Sequence, residues 1–111
     1  MTTVTYKGKD EVFELTAEGH AGYAEIGKDI VCASVSILAY QLGQIVTDAY
    51  NCKKLKRKPK VILEEGNVRI KCVPFNEYAD EIAYAFYFSI IGFSLLARNY
   101  PENVEIRCAE E

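Results

Sequence analysis

A single histidine, His20, serves all 111 residues, and none of the four cysteines belongs to a Cys-x-x-Cys pair. A structural zinc site needs ligand pairs at short spacing, so that class is excluded, and neither a metal nor any other cofactor is expected. Cys32, Cys52, Cys72 and Cys108 are spread almost evenly along the chain, which gives no disulfide framework in a reducing compartment. Most of them are expected to act as small hydrophobes. The opening residues, Met1-Thr2-Thr3-Val4-Thr5-Tyr6, lack a basic segment followed by an apolar one. No secretory leader is read there, and a cytoplasmic location is expected. There is no internal repeat and no low-complexity tract. A long membrane-type run is missing too. Ile82 to Ala97 is interrupted only by Ser89, Gly92 and Ser94, but it falls short of the ~20 residues a span needs. It reads instead as a helix buried on more than one side, by its own sheet and by a second subunit, with no membrane partner.

What is present suits one globular domain over residues 1–111. Half of the residues are hydrophobic and 26% are charged, enough apolar mass for a core. Val4 to Lys7 and Val12 to Ala17 read as strands around a polar turn, Gly8-Lys9-Asp10; the second alternates with period two. Residues 18–28 are rich in glycine and small side chains and read as a loop. Asp29 then precedes Val31, Val35, Leu38, Leu42, Ile45 and Ala49, one apolar helix face running to about Tyr50. Val61 to Leu63 and Val68 to Val73 form a hairpin around Glu65-Gly66-Asn67, with Gly66 and Asn67 suited to positive φ. Asn76 is placed as the N-cap of a second helix, Glu77 to Asn99, and Val104 to Cys108 as a last strand. The order is ββαββαβ, and the fold class follows as α/β: a two-layer sandwich with two helices packed on one face of a mixed sheet.

The chemistry concentrates between His20 and Ser36. With Asp29 as N-cap, Cys32 is N3 of the long helix, where backbone N–H groups lack intrahelical partners and the dipole is positive. Such a position favours thiolate over thiol. A histidine brought against it can take the proton, and the same N–H groups can stabilise an oxyanion. By position alone, buried filler is the commoner role for such a cysteine, and a lone histidine at a strand end is usually surface. Ser36 lies one turn below Cys32. With Cys32, Gly43 and Thr47 it makes a stripe of small side chains, a pattern that signals close approach of another backbone.

The stretch Gly19-His20, a short loop, then Gly27-x-Asp29-Ile30-Val31-Cys32-Ala33-x-x-Ser36 resembles the signature of the ribosomal-processing cysteine protease family, Prp. The likeness continues at Leu95-Leu96 and Tyr100-Pro101 before Val104. The resemblance implies a small α/β fold, Cys32 as nucleophile and His20 as base, with Gly19, Gly27, Asp29 and Ser36 in supporting or substrate-binding roles. It also implies a homodimer and a loop that is mobile until substrate binds. The protein partner it implies is a large-subunit ribosomal protein carrying an N-terminal extension, or, for phage members, a virion structural protein.

Lys53-Lys54-Leu55-Lys56-Arg57-Lys58-Pro59-Lys60 carries six positive charges; removing them from the whole-chain charge of −3 leaves −9. A nucleic-acid patch is one reading of such a run. A solvated linker is favoured, because no aromatic residue interleaves the charges to stack on bases. A dimeric ribosome- or RNA-binding module without enzymatic activity therefore stands as the alternative to the peptidase.

Overall fold

The computed structural model describes residues 1–25 and 27–109; Ile26 of the loop and residues 110–111 lie outside that description. Strands β1 (Thr2–Lys9) and β2 (Val12–Glu18) precede helix α1 (Ile30–Asn51). Strands β3 (Lys60–Glu64) and β4 (Asn67–Cys72), a 3-10 turn (Asn76–Tyr78), helix α2 (Ala79–Asn99) and strand β5 (Val104–Ala109) complete the chain. The ββαββαβ order and mixed sheet are those read from the sequence. The strands lie in the order β3-β4-β2-β1-β5, all antiparallel except the parallel pair β1 and β5.

Register separates the sheet's two faces. Val4 pairs with Ala17 and Ala17 with Val68, while Leu15 faces Ile70 and Phe13 faces Cys72. All seven are buried, so this face receives the helices. The other face carries Thr5, Glu14, Thr16, Arg69 and Lys71; Arg69 Nε donates to Glu14 Oε2 at 2.6 Å.

Several local expectations are corrected. The first turn is Asp10-Glu11, both at positive φ, because β1 extends through Lys9, which pairs with Val12. In the second hairpin Gly66 alone takes positive φ, and Asn67 already belongs to β4. Asn76 is not the N-cap of α2. It opens the 3-10 turn, and with its amide oriented to satisfy its neighbours Nδ2 donates to Glu11 Oε1 at 2.9 Å. The Glu11 carboxylate competes for the side chain, and α2 starts behind Tyr78 without a side-chain cap.

The buried stripe of α1 is Val31, Val35, Ala39, Leu42, Gly43, Val46 and Ala49. Of the expected face, Leu38 is partly buried against the core and only Ile45 falls outside it. A Cβ on Gly43 would stand 3.2 Å from both Leu63 Cδ1 and Val61 Cγ1. The small-residue stripe thus admits β3 of the same chain at Gly43, and no second subunit is needed there. Ile45 is exposed, while Leu38 seats against Gly92 of α2.

Helix α2 buries Ile82, Phe86, Ser89 and Phe93 but leaves Tyr84, Tyr87, Phe88, Ile91 and Leu95 exposed. Within the chain, the sheet and α1 cover one side of it. Both Ile30–Asn51 and Asn76–Asn99 are long and apolar enough to cross a membrane by length and composition. Here each lays one face on the sheet.

The cysteines also differ from expectation. Only Cys72 is buried, whereas Cys52 and Cys108 are exposed and Cys32 is half-buried; burial pushes the Cys72 thiol up to about 12. The basic run is more than a solvated linker. Leu55 is buried and bridges to Pro74. Lys56 N–H donates to Val73 O at 2.8 Å, and Phe75 N–H to Lys54 O at 2.9 Å. The backbone is thus pinned, with the charges of Lys56, Arg57, Lys58 and Lys60 facing solvent.

Candidate active site

Asp29 organises the start of α1. Its φ of −87° and ψ of 100° are extended, as an N-cap requires. Oδ1 accepts from Val31 N–H at 3.0 Å and Cys32 N–H at 2.9 Å. Oδ2 accepts from Tyr23 N–H at 3.0 Å and Ala24 N–H at 3.2 Å. One carboxylate therefore holds both the first helical turn and the loop in front of it. Its partial desolvation works to raise its pKa, but the bonds from Cys32, Ala24 and Tyr23 outweigh this and hold it below the ordinary value. Among the described residues no hydrogen bond joins Asp29 to His20.

The first half of the loop is stitched down rather than loose. Ala21 is buried, 1% exposed, and its N–H points to Cys32 Sγ at 3.4 Å. Asn103 Nδ2 donates to Ala21 O at 3.0 Å, and the Tyr23 ring meets Tyr100 edge-on with centroids 5.4 Å apart. These anchors, drawn from the α2–β5 turn, are invisible in the loop's own glycine-rich composition.

His20 leaves the end of β2 beside the β3–β4 hairpin. Gly19 N–H donates to Gly66 O at 3.0 Å, bringing the hairpin tip against the histidine. The imidazole lies over Gly66 so closely that a Cβ there would stand 2.9 Å from Nε2, and Nδ1 is 4.0 Å from Glu65 Oε1. Gly66 is thus required twice, for its φ of 74° and for the space above it. No hydrogen bond joins the ring to Cys32 among the described residues; the group on Sγ is the Ala21 amide.

One cavity of about 500 Å³ collects every residue singled out from the sequence: Gly19, His20, Gly27, Asp29, Cys32 and Ser36. Its remaining wall includes Tyr40 of α1 and Glu64, Glu65 and Gly66 of the hairpin tip. Sequence reasoning missed these, although Glu65-Gly66 was visible as a turn; nothing local says that this turn closes over His20. Among the described residues no group of three or more His, Cys, Asp or Glu side chains is arranged to hold a metal ion. Three N–H groups of the first helical turn are engaged within the chain. Val31 and Cys32 donate to the Asp29 carboxylate and Ala33 to its carbonyl.

A family profile described as cysteine protease Prp matches residues 1–105. The chain belongs to the cysteine protease Prp family. Among solved structures, an essential ribosomal processing protease Prp from S. aureus, holding a covalently linked product peptide, superposes with a TM-score of 0.74 at 23% identity. The match covers 98% of this chain and 100% of that one. The same S. aureus protease with a substrate peptide gives a TM-score of 0.67 at 21% identity, again over 98% of this chain and 100% of that one. A protein of Streptococcus mutans gives 0.68 at 23% identity, over 100% of this chain and 96% of that one. No curated protein sequence matches the chain. Prp proteases are cysteine peptidases, and a cleft in which a half-buried thiol and the single imidazole share one wall suits that chemistry.

Proposed function

We propose that this chain removes a short N-terminal extension from a large-subunit ribosomal protein, acting as a cytoplasmic endopeptidase with Cys32 as nucleophile and His20 as general base. The observation that carries the reading is the meeting of Cys32 and His20 on one cavity wide enough for a few peptide residues. A processing role on the ribosome rests on the S. aureus relative, which is described as a ribosomal processing protease. For chemistry the imidazole leaves Gly66 and turns to the thiol, a side-chain rotation that a bound peptide pressing on the hairpin tip would favour. The Cys32 proton passes to His20, the thiolate attacks the scissile carbonyl, and His20 returns the proton to the departing amine. Asp29 holds the nucleophile's turn and the loop to one another, Gly19 and Gly27 shape the loop ends, and Ser36 lines the cleft one turn below the thiol.

The active form is a homodimer built on the outer face of α2. Tyr84, Tyr87, Phe88, Ile91 and Leu95 make a continuous exposed apolar strip, and a twofold pairing is the commonest way to cover one. The single domain, residues 1–111, then supplies one site per subunit.

The deciding experiment presents the purified protein with an extended ribosomal protein of its host. Cleavage by the parent and none by Cys32→Ser, with equal melting temperatures, is the expected result. Cleavage by Cys32→Ser at the parent rate removes the peptidase assignment of this residue.

A further inference from the structure

A cysteine peptidase needs a donor for the negative charge that moves from sulfur to oxygen during acyl transfer, and the start of a helix is the usual place to look for one. Here three N–H groups of that turn, including the N–H of Cys32 itself, are taken. Asp29 Oδ1 receives the N–H groups of Val31 and Cys32 at 3.0 and 2.9 Å, and the Asp29 carbonyl receives Ala33 N–H at 3.0 Å. The donor that does face the sulfur comes from the loop after β2: Ala21 N–H, 3.4 Å from Cys32 Sγ. Ala21 is 1% exposed, so this donor works out of bulk water, where such a bond counts for more.

Something must keep that amide aimed. Asn103 Nδ2 donates to Ala21 O at 3.0 Å, fixing the residue from its carbonyl side. The base of Asn103 is itself fixed by main-chain bonds its side chain plays no part in. Thr2 N–H donates to Asn103 O at 2.9 Å, and Asn103 N–H donates to Tyr100 O at 2.9 Å. The turn between α2 and β5 is thus a brace against the loop that carries His20 and Ala21.

We propose that the Ala21 N–H is the donor for the charge of the acyl-transfer step and that Asn103 is the positioning residue that aims it, a reading that rests on Cys32 as nucleophile. In the resting site the amide faces the sulfur. When the thiolate pair forms the S–C bond, the carbonyl π pair moves onto oxygen, and the same N–H follows the charge across that short distance. On collapse the pair returns to carbon, the C–N bond breaks, and the leaving amine takes the proton held by His20. Water then attacks the thioester while His20 accepts a water proton, and the S–C bond breaks to restore the thiolate.

Two variants test this without disturbing the main-chain bonds of the turn. Asn103→Ala deletes the donor; Asn103→Asp keeps the shape but offers only acceptor oxygens to the Ala21 carbonyl. Both are expected to lower kcat ~10–100-fold per folded molecule, a fraction of the ~10²–10³ that loss of a whole oxyanion donor costs. KM and melting temperature should stay near the parent's, and Asn103→Asp should be at least as slow as Asn103→Ala. A side chain that merely fills space would tolerate Asp. Parent-like kcat for Asn103→Asp, or a loss confined to KM or to the folded fraction, overturns the proposal. If that happens while Cys32→Ser is inactive, the nucleophile stands and only the donor assignment falls.

Discussion

Helix α1 begins under a carboxylate that collects four backbone N–H groups, while α2, 21 residues against 22, begins behind Tyr78 with no side-chain cap. The difference follows from what each start must do. The first turn of α1 carries Cys32 at the edge of an open cleft, where apolar packing on one side only cannot fix a side chain. Polar bonds to Asp29 supply the missing constraint and extend it to the loop. The first turns of α2 drive Ile82 and Phe86 into the core, and burying such side chains stabilises by roughly 1.5–3 kcal/mol each. A cap adds little to that. The outer faces differ in turn. On α1 the exposed Ile37, Tyr40, Ile45 and Tyr50 are interleaved with exposed Gln41, Gln44 and Asp48, whereas the exposed middle of α2 is an aromatic and aliphatic strip without charged residues. One helix is specialised at its end for chemistry, the other along its length for association.

The sharpest way to break this contrast is Asp29→Ala. It removes the cap of α1 and the tether of the loop together. The expected cost is about 1–2 kcal/mol in urea unfolding, with cleavage reduced more than ~10-fold because Cys32 and the Ala21 loop lose their common reference. Stability near the parent's together with full activity would show that packing alone sets the site.

The next test acts on the length of α2. Phe88→Glu combined with Ile91→Glu should convert the homodimer to a monomer in sedimentation at micromolar concentration, while Gln41→Glu with Gln44→Glu on α1 should leave the dimer intact. A parent that already sediments as a monomer would sink the dimer assignment.

A smaller effect comes from pH. The Asp29 carboxyl holds its proton less readily folded than unfolded, so its stabilisation is present above the ordinary value of 3.8 and is lost as pH falls through the lower folded value. The parent's stability advantage over Asp29→Asn should therefore shrink as pH drops below 3.8; an advantage that stays constant would mean that the carboxylate charge does not matter. The smallest effect belongs to the start of α2. Asn76→Ala should change unfolding free energy by no more than about 0.5 kcal/mol, as surface positions usually do, and leave cleavage unaltered. A cost as large as that of Asp29→Ala would mean that the two helix starts are equivalent after all.

Where the sequence was readable, it was readable through local rules. The cap at Asp29 and the placing of Cys32 in the first turn follow from one residue type before an apolar period, and the strands follow from alternation. The same kind of rule misplaced Asn76, because the carboxylate that claims its amide sits on Glu11, far away in sequence. It also assigned Ile45 to the core, because periodicity gives a helix a face but not the angle at which neighbouring elements meet it. The hairpin tip at Gly66 and the side chain of Asn103 reach the site only through tertiary contacts, so no spacing in the chain announces them.

By itself the sequence determined the elements, their order, and that one thiol and one imidazole flank a short loop, since these depend on residues within a few positions of one another. The tertiary structure alone decided which surfaces converge on that thiol. Residues 66 and 103 lie tens of positions from Cys32, and a backbone hydrogen bond from Gly19 to Gly66 and a turn closing on Ala21 bring them there. Burial and hydrogen-bond direction, which no local pattern encodes, then aim the Ala21 amide rather than the helix start at the sulfur.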